Sequence, residues 1–168
     1  MSRLRRSPIA SVLLAAASLP AAVAHAQLEV KHLQEASRPI ATAVWAGDTL
    51  YVSGQMASPV VPGDPAKNIQ PAYGDTEQQS ASALNKIQTI LKDEGLTMGD
   101  VVMMHVYMAG DPANGGKLDF AGMMKSYNKF FGTPDQPNKP ARSAMQVAAL
   151  AAPWGLVEIE VIAVRPRR

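Results

Sequence analysis

Apolar runs of strand length recur along the chain, separated by turns rich in glycine, proline and aspartate. Residues 42–46, 50–54, 101–108, 140–147 and 157–164 each fit a strand. Gly47 and Asp48 lie between the first two runs and predict a hairpin turn. Residues 134–140 hold three prolines and are predicted to lack regular structure.

Two other segments have helical spacing. The first is predicted to begin at a cap formed by Asp75 or Thr76 and to end at Gly95; the second spans residues 118–131 and ends at Gly132. Their apolar positions are Ala81, Leu84, Ile87 and Leu91 in the first, and Phe120, Met123, Met124, Tyr127 and Phe131 in the second. The second stripe is interpreted as core. Met123 and Met124 differ in direction by about 100°, so one of them could reach a pocket.

This order of elements predicts a single α+β domain with a mixed sheet and both helices packed on one face. The opposite face of such a sheet needs a cover of its own. In a chain of 168 residues, a partner subunit is the expected cover. We therefore predict an oligomer.

The first 26 residues have the features of a secretory signal peptide. Arg3, Arg5 and Arg6 precede an apolar segment, and a small-x-small site ends at Ala26. We predict cleavage after Ala26, a mature domain of residues 27–168 and a periplasmic or secreted protein, with an uncleaved anchor as the alternative. The net charge falls from +2 to −1 without this segment, since 13 basic and 14 acidic side chains remain. Neither nucleic-acid binding nor stable membrane insertion after cleavage is expected.

Several catalytic classes find no support in the sequence. The chain has no cysteine, which excludes a thiol nucleophile and zinc-thiolate sites. His32 and His105 have no metal-ligand spacing, so no metal site is predicted, and a hydrogen-bonded structural role is expected for His105. Ser53 lacks the glycine two positions before it that a nucleophile elbow requires.

Arg142, in contrast, lies inside a mostly apolar predicted strand, and arginine is seldom buried without a partner. It is either a structural arginine or a clamp for a small carboxylate, with a carboxylate of the chain expected nearby. Glu158 and Glu160 share one face of the last strand, because side chains alternate with a period of two. That face is either solvated or positions a water molecule beside the bound acid.

An ordered set of motifs makes the chain resemble the YjgF/RidA family of reactive-intermediate (enamine/imine) deaminases over residues 40–164. The motifs are Tyr51-Val52-Ser53-Gly54-Gln55, the helix from Gln78 through Asn85 to Gly95, Asp100-Val101-Val102, Tyr127 with Phe130-Phe131, Pro140-Ala141-Arg142-Ser143, and Glu158-Ile159-Glu160. No single motif decides the resemblance, but their order along the chain is specific.

The resemblance implies a chorismate-mutase-like fold and a homotrimer with clefts between subunits. It implies hydrolysis of enamines or imines, of the 2-iminobutanoate and 2-iminopropanoate type, to 2-oxo acids and ammonia without a metal or organic cofactor. Arg142 would bind the substrate carboxylate, and Glu158 would orient or activate water. The family pattern also brings Ser53, Gly54, Ser143 and Tyr127 to the substrate pocket.

The chain departs from the pattern of active deaminases at three pocket positions. Ile40 stands where such members carry a tyrosine, Met124 where they carry an asparagine, and Ala144 at the small or cysteine position after Arg142-Ser143. The first two changes predict a preference for a more apolar acid. The alternatives to a deaminase are a non-catalytic protein that binds small carboxylates and a holdase-like trimer in the cell envelope.

Overall fold

The computed structural model describes residues 28–166, and within this range six strands form one sheet in the order β1-β2-β3-β6-β4-β5. The strands are β1 (Val30–Leu33), β2 (Ala43–Ala46), β3 (Thr49–Met56), β4 (Val101–Met108), β5 (Ala141–Gln146) and β6 (Val157–Val164). The helices are α1 (Thr76–Asp93) and α2 (Phe120–Phe130). The β4–β5 pair is parallel and the other pairs are antiparallel, so the predicted mixed sheet is confirmed.

Both helices begin at an aspartate whose side chain accepts a hydrogen bond from a free amide of the first turn. Asp75 and Gln78 form a reciprocal capping box at α1, which selects Asp75 from the two predicted caps. Asp119 accepts from the amide of Gly122, so α2 starts two residues later than the apolar spacing predicts. The helix ends at Phe130 because Phe131 has an extended backbone.

The two helices lie on one face of the sheet, as predicted. Strand β6 shows this directly, since Val157, Ile159, Val161 and Ala163 are buried under the helices. Glu158, Glu160 and Ile162 alternate with them and point to the other side, which we call the open face. The two glutamates therefore share a face, as their spacing predicts. Cover of the open face by a partner subunit stays a prediction.

Strand β1 was not predicted from the sequence. Its segment Val30–Leu33 is mostly exposed and lacks an apolar alternation, so it has no signal of its own. Pairing with β2 and the ion pair of Lys31 with Glu94 (3.6 Å) hold it at the edge of the sheet. The predicted signal peptide lies outside the described residues. Within residues 28–166, no helix combines the length and apolarity needed to cross a membrane.

Candidate functional site at Arg142 and Glu158

Arg142 has an aromatic and thioether environment. Its guanidinium carbon lies 4.4 Å from the centre of the Tyr127 ring and 5.6 Å from that of Phe120. Its Nη1 donates to the sulfur of Met124 at 3.1 Å. Within the described part of the chain, no carboxylate lies within 4.0 Å of it. The guanidinium is thus held by the Tyr127 ring and the Met124 sulfur, and its remaining N–H donors are available to a ligand.

The register of β5 explains this placement. Arg142 pairs with the buried Met104 of the parallel strand β4, so its side chain points toward the helices. Strand β5 is at the edge of the sheet, which leaves the guanidinium partly exposed beside α2. Burial raises the pKa of the Tyr127 hydroxyl, while the positive charge of Arg142 opposes the shift. Tyr127 is therefore a neutral platform at physiological pH.

Arg142, Met124 and Tyr127 form what we call the arginine group, and Ala144 lies on the same face of β5, two residues after Arg142. Phe120 also belongs to this group; its apolar spacing predicts a core position, but its side chain is 45% exposed. Its spacing of four and seven residues from Met124 and Tyr127 places it on the same stripe of α2 and could have identified it. Met123 faces the core and is buried, so Met124 is the methionine that reaches the site.

A second cluster, the glutamate group, consists of Glu158 and Gly54; Ser53 precedes Gly54 on β3 and lines the open face together with His105 and Glu160. The side chain of Glu158 lies directly over Gly54, where a β-carbon would overlap the carboxylate oxygen Oε1. Ser53 and Gly54 lie at a bulge of β3, between the paired residues Val52 and Gln55. The Ser53 hydroxyl donates to the carbonyl of Ala41 at 2.7 Å, next to Ile40, which is 59% exposed.

The arginine and glutamate groups lie on opposite faces of the sheet of one chain. Arg142 points toward the helices, whereas Glu158 pairs in register with Tyr107 and points to the open face. The expectation that a carboxylate of the same chain lies near Arg142 is therefore wrong. Side chains alternate between the two faces along each strand. Even-numbered residues of β5 point toward the helices, whereas even-numbered residues of β6 point to the open face. Ser143 also points to the open face and is separated from Arg142 by the sheet.

Glu160 has a different role from Glu158. It accepts hydrogen bonds from His105 Nδ1 and from the hydroxyl of Tyr107, both at 3.0 Å. The bond to Glu160 raises the pKa of the Tyr107 hydroxyl. His105 thus has the hydrogen-bonded role predicted for it. Within residues 28–166, the side chain of Glu158 accepts no hydrogen bond, and no three His, Cys, Asp or Glu side chains cluster as metal ligands would.

A sequence model of the family described as Endoribonuclease L-PSP matches residues 16–165. The chain belongs to this family, also called YjgF/RidA. A RutC family protein of Haemophilus influenzae is 36% identical over 127 residues, which cover 76% of this chain and 87% of the relative. Escherichia coli TdcF, which carries a provisional assignment as a reactive intermediate deaminase, is 32% identical over 138 residues, covering 82% and 95% of the two chains.

Solved structures of the YjgF/RidA family share the fold. The crystal structure of Escherichia coli TdcF with bound serine superposes with a TM-score of 0.60 at 29% identity and covers 83% of this chain and 98% of that chain. The mixed sheet with two helices on one face is thus the family's architecture. Arg142 and Glu158 both lie within the residues that match the family model.

Proposed function

We propose that this protein hydrolyses reactive enamine or imine acids to 2-oxo acids and ammonia, with Arg142 as the carboxylate clamp. The observation that carries the proposal is the guanidinium of Arg142, held on Tyr127 without a carboxylate partner among the described residues. A planar guanidinium matches a carboxylate with two parallel hydrogen bonds. The assignment of TdcF and the serine bound in its structure support a small amino-acid-like ligand.

Hydrolysis of an imine requires the protein mainly to orient the substrate and the attacking water. Water adds to the carbon of the imine C=N bond, a proton moves to nitrogen, and ammonia leaves as the C=O bond forms. Glu158 would accept a hydrogen bond from that water and take its proton as the C–O bond forms. Its carboxylate is free of other hydrogen bonds in the described chain, and Gly54 leaves the space that it occupies. A clamp and a positioned water convert a slow encounter into an oriented reaction.

We further propose a homotrimer in which Arg142 of one copy meets Glu158 of the next. In a single chain the two groups lie on opposite faces of the sheet, so they can share one substrate only across a contact between copies. The open face supports this arrangement, because Tyr51 and Met145 are 48% and 42% exposed there. Packing between copies would cover these side chains.

Two inactive variants can test the function and the assembly together. Freshly generated imino acids of several side-chain sizes are supplied, and ammonia and 2-oxo acid release is measured for wild type, Arg142→Ala and Glu158→Gln. Turnover should fall by about 100-fold or more in each variant, since each loses an orienting group. Arg165→Ala is the matched control: its guanidinium also stacks on an aromatic ring, 4.3 Å from Trp45, but far along the sheet from both groups.

Mixed assemblies of the two variants then locate the site. In a trimer that contains both variants, one of the three contacts joins an intact Arg142 to an intact Glu158. Each partner of a contact is intact in about half of the copies, so random mixing restores about one quarter of the wild-type sites. Equal rates in wild type and Arg142→Ala would refute the proposed function. Loss of activity in both variants without recovery on unfolding and co-refolding would refute the shared site.

A non-catalytic carboxylate-binding protein is the second candidate. It is favoured by apolar Met124 against the guanidinium and by exposed Ile40, which offer no polar group to a reacting centre. This candidate predicts that small carboxylates raise the melting temperature through Arg142, by mass action, without any turnover. A thermal shift that accompanies ammonia release would decide against it.

Export to the periplasm or medium is part of the proposal and rests on the sequence of residues 1–26. Cell fractionation followed by N-terminal sequencing tests it. Gln27 as the first residue of an exported protein is the expected result, and a chain that retains Met1 in the cytoplasm would refute it.

A further inference from the structure

The sulfur of Met124 contacts the group that we propose as the carboxylate clamp. Nη1 of Arg142 lies 3.1 Å from the sulfur, and the guanidinium is held between this contact and the Tyr127 ring. A thioether is a weak hydrogen-bond acceptor, so it leaves Nη1 available to a stronger one. The state of this sulfur therefore determines how easily an incoming carboxylate captures the guanidinium.

Oxidation would change that sulfur from a weak acceptor into a strong one. With hydrogen peroxide, one oxygen atom bonds to the sulfur, the O–O bond breaks and water leaves. The sulfur loses the two electrons that the peroxide gains. The resulting sulfoxide is polar and carries an oxygen on the atom that already faces Arg142. Three rotatable side-chain bonds allow that oxygen to turn toward the guanidinium.

Among residues 28–166, the other methionines lack this combination of access to solvent and contact with Arg142. Met123, Met104 and Met108 are buried in the core, with at most 1% of each side chain exposed. Met145 is 42% exposed but points to the open face, away from Arg142. Met124 is partly exposed beside the guanidinium. Peroxide is smaller than the acid that the clamp would hold, so it reaches the sulfur by the same route.

We propose that Met124 is an oxidation site, at which conversion of the thioether to the sulfoxide by a peroxide switches off carboxylate binding at Arg142. The sulfoxide oxygen competes with the substrate carboxylate for the same N–H donors. A methionine sulfoxide reductase reverses the change. This inference rests on the proposed role of Arg142 as a carboxylate clamp.

The full chain is treated with graded hydrogen peroxide, the peroxide is removed, and 2-oxobutanoate is then added as the carboxylate probe. Calorimetry gives the dissociation constant, and mass spectrometry of tryptic peptides gives the sulfoxide fraction at each methionine. Met123 and Met124 share the peptide of residues 118–125, so fragment spectra are needed to separate them. Met124→Leu removes the oxidisable sulfur at similar volume, and Met145→Leu is the matched control on β5.

In wild type and Met145→Leu, the dissociation constant should rise about tenfold in step with oxidation of Met124, the size expected for competition by a hydrogen bond to a charged group. In Met124→Leu it should not respond to peroxide, whatever its starting value. The inference is overturned if Met124 stays reduced while other methionines oxidise, or if oxidation of Met124 leaves the affinity unchanged or higher. Reduced wild type that binds no better than Arg142→Ala would overturn the clamp itself, a result distinct from peroxide-insensitive binding.

Discussion

The substitution Gly54→Ala should displace the carboxylate of Glu158 without removing it, and so tests whether the position of that carboxylate matters for turnover. A β-carbon at residue 54 would overlap Oε1 of Glu158 and lie 2.9 Å from its Cδ and 3.0 Å from its Cγ. The backbone of Gly54 is not left-handed, so alanine is accommodated without backbone strain. The side chain of Glu158 must therefore give way, while the carboxylate itself is retained.

The size of the effect follows from these distances. Ordinary contacts of a β-carbon begin at 3.4 Å, so the carboxylate must move by about 1 Å, a displacement that can cost about 100-fold in rate for an oriented group. Stability should change little. Replacing glycine by alanine where the backbone allows it stabilises the fold by about 0.4–1 kcal/mol, because the unfolded chain has less conformational entropy to lose. A strained Glu158 rotamer costs about 0.5–1.5 kcal/mol, so the two effects nearly cancel.

The assay is turnover of fresh imino acids by Gly54→Ala, Glu158→Gln and the double variant, with urea unfolding of each. The two changes should not be additive, because both remove the same positioned carboxylate. Gly99→Ala is the control: a β-carbon there meets nothing closer than 3.4 Å, and turnover should be unchanged. Full turnover in Gly54→Ala would refute the reasoning. So would a loss of unfolding free energy above about 3 kcal/mol, the scale of a serious packing defect.

Three further predictions concern the scaffold. Trp45→Phe should lower the free energy of unfolding in urea by about 2 kcal/mol, because the buried indole donates to Glu94 at 2.7 Å; an unchanged midpoint would contradict this. Gln79→Leu should cost about 3 kcal/mol, since the buried amide satisfies three backbone groups, and a neutral result would mean that water replaces it. The hydrogen bond from Lys129 lowers the pKa of Glu77 below 4.5, so its stabilising contribution is complete above pH 4.5 and is lost as the pH falls through the lowered pKa. Melting temperatures of Glu77→Gln should therefore fall less steeply on acidification than those of wild type, and parallel curves would contradict the assignment.

Much of the fold could be predicted because its strongest elements carry local signals. Strands β4 and β6 have the predicted bounds, Val101–Met108 and Val157–Val164, since turns isolate their apolar runs. The helix α1 was predicted from its cap and its apolar spacing. The strand β1 was not predicted because it is stabilised by pairing with β2, and its own sequence has no strand pattern.

The candidate site could be predicted only in part. Arg142 was identified because an arginine within an apolar strand needs a partner, and Met124 because two adjacent methionines cannot both face the core. The relation between Arg142 and Glu158 could not be predicted from either strand alone. It depends on the strand order, which places β4 between β5 and β6 and fixes the faces of both.

Each half of the proposed site is organised by its own chain before any assembly. Arg142 is held by Tyr127 and Met124 of α2, and Glu158 lies over Gly54 of β3. In the proposed trimer, contact between copies would therefore have only to set the distance between Arg142 of one copy and Glu158 of the next. Substitutions on the open face away from both halves should change turnover through that distance alone, while carboxylate binding at Arg142 persists. Binding that vanished together with turnover would show that the clamp is itself formed by the contact between copies.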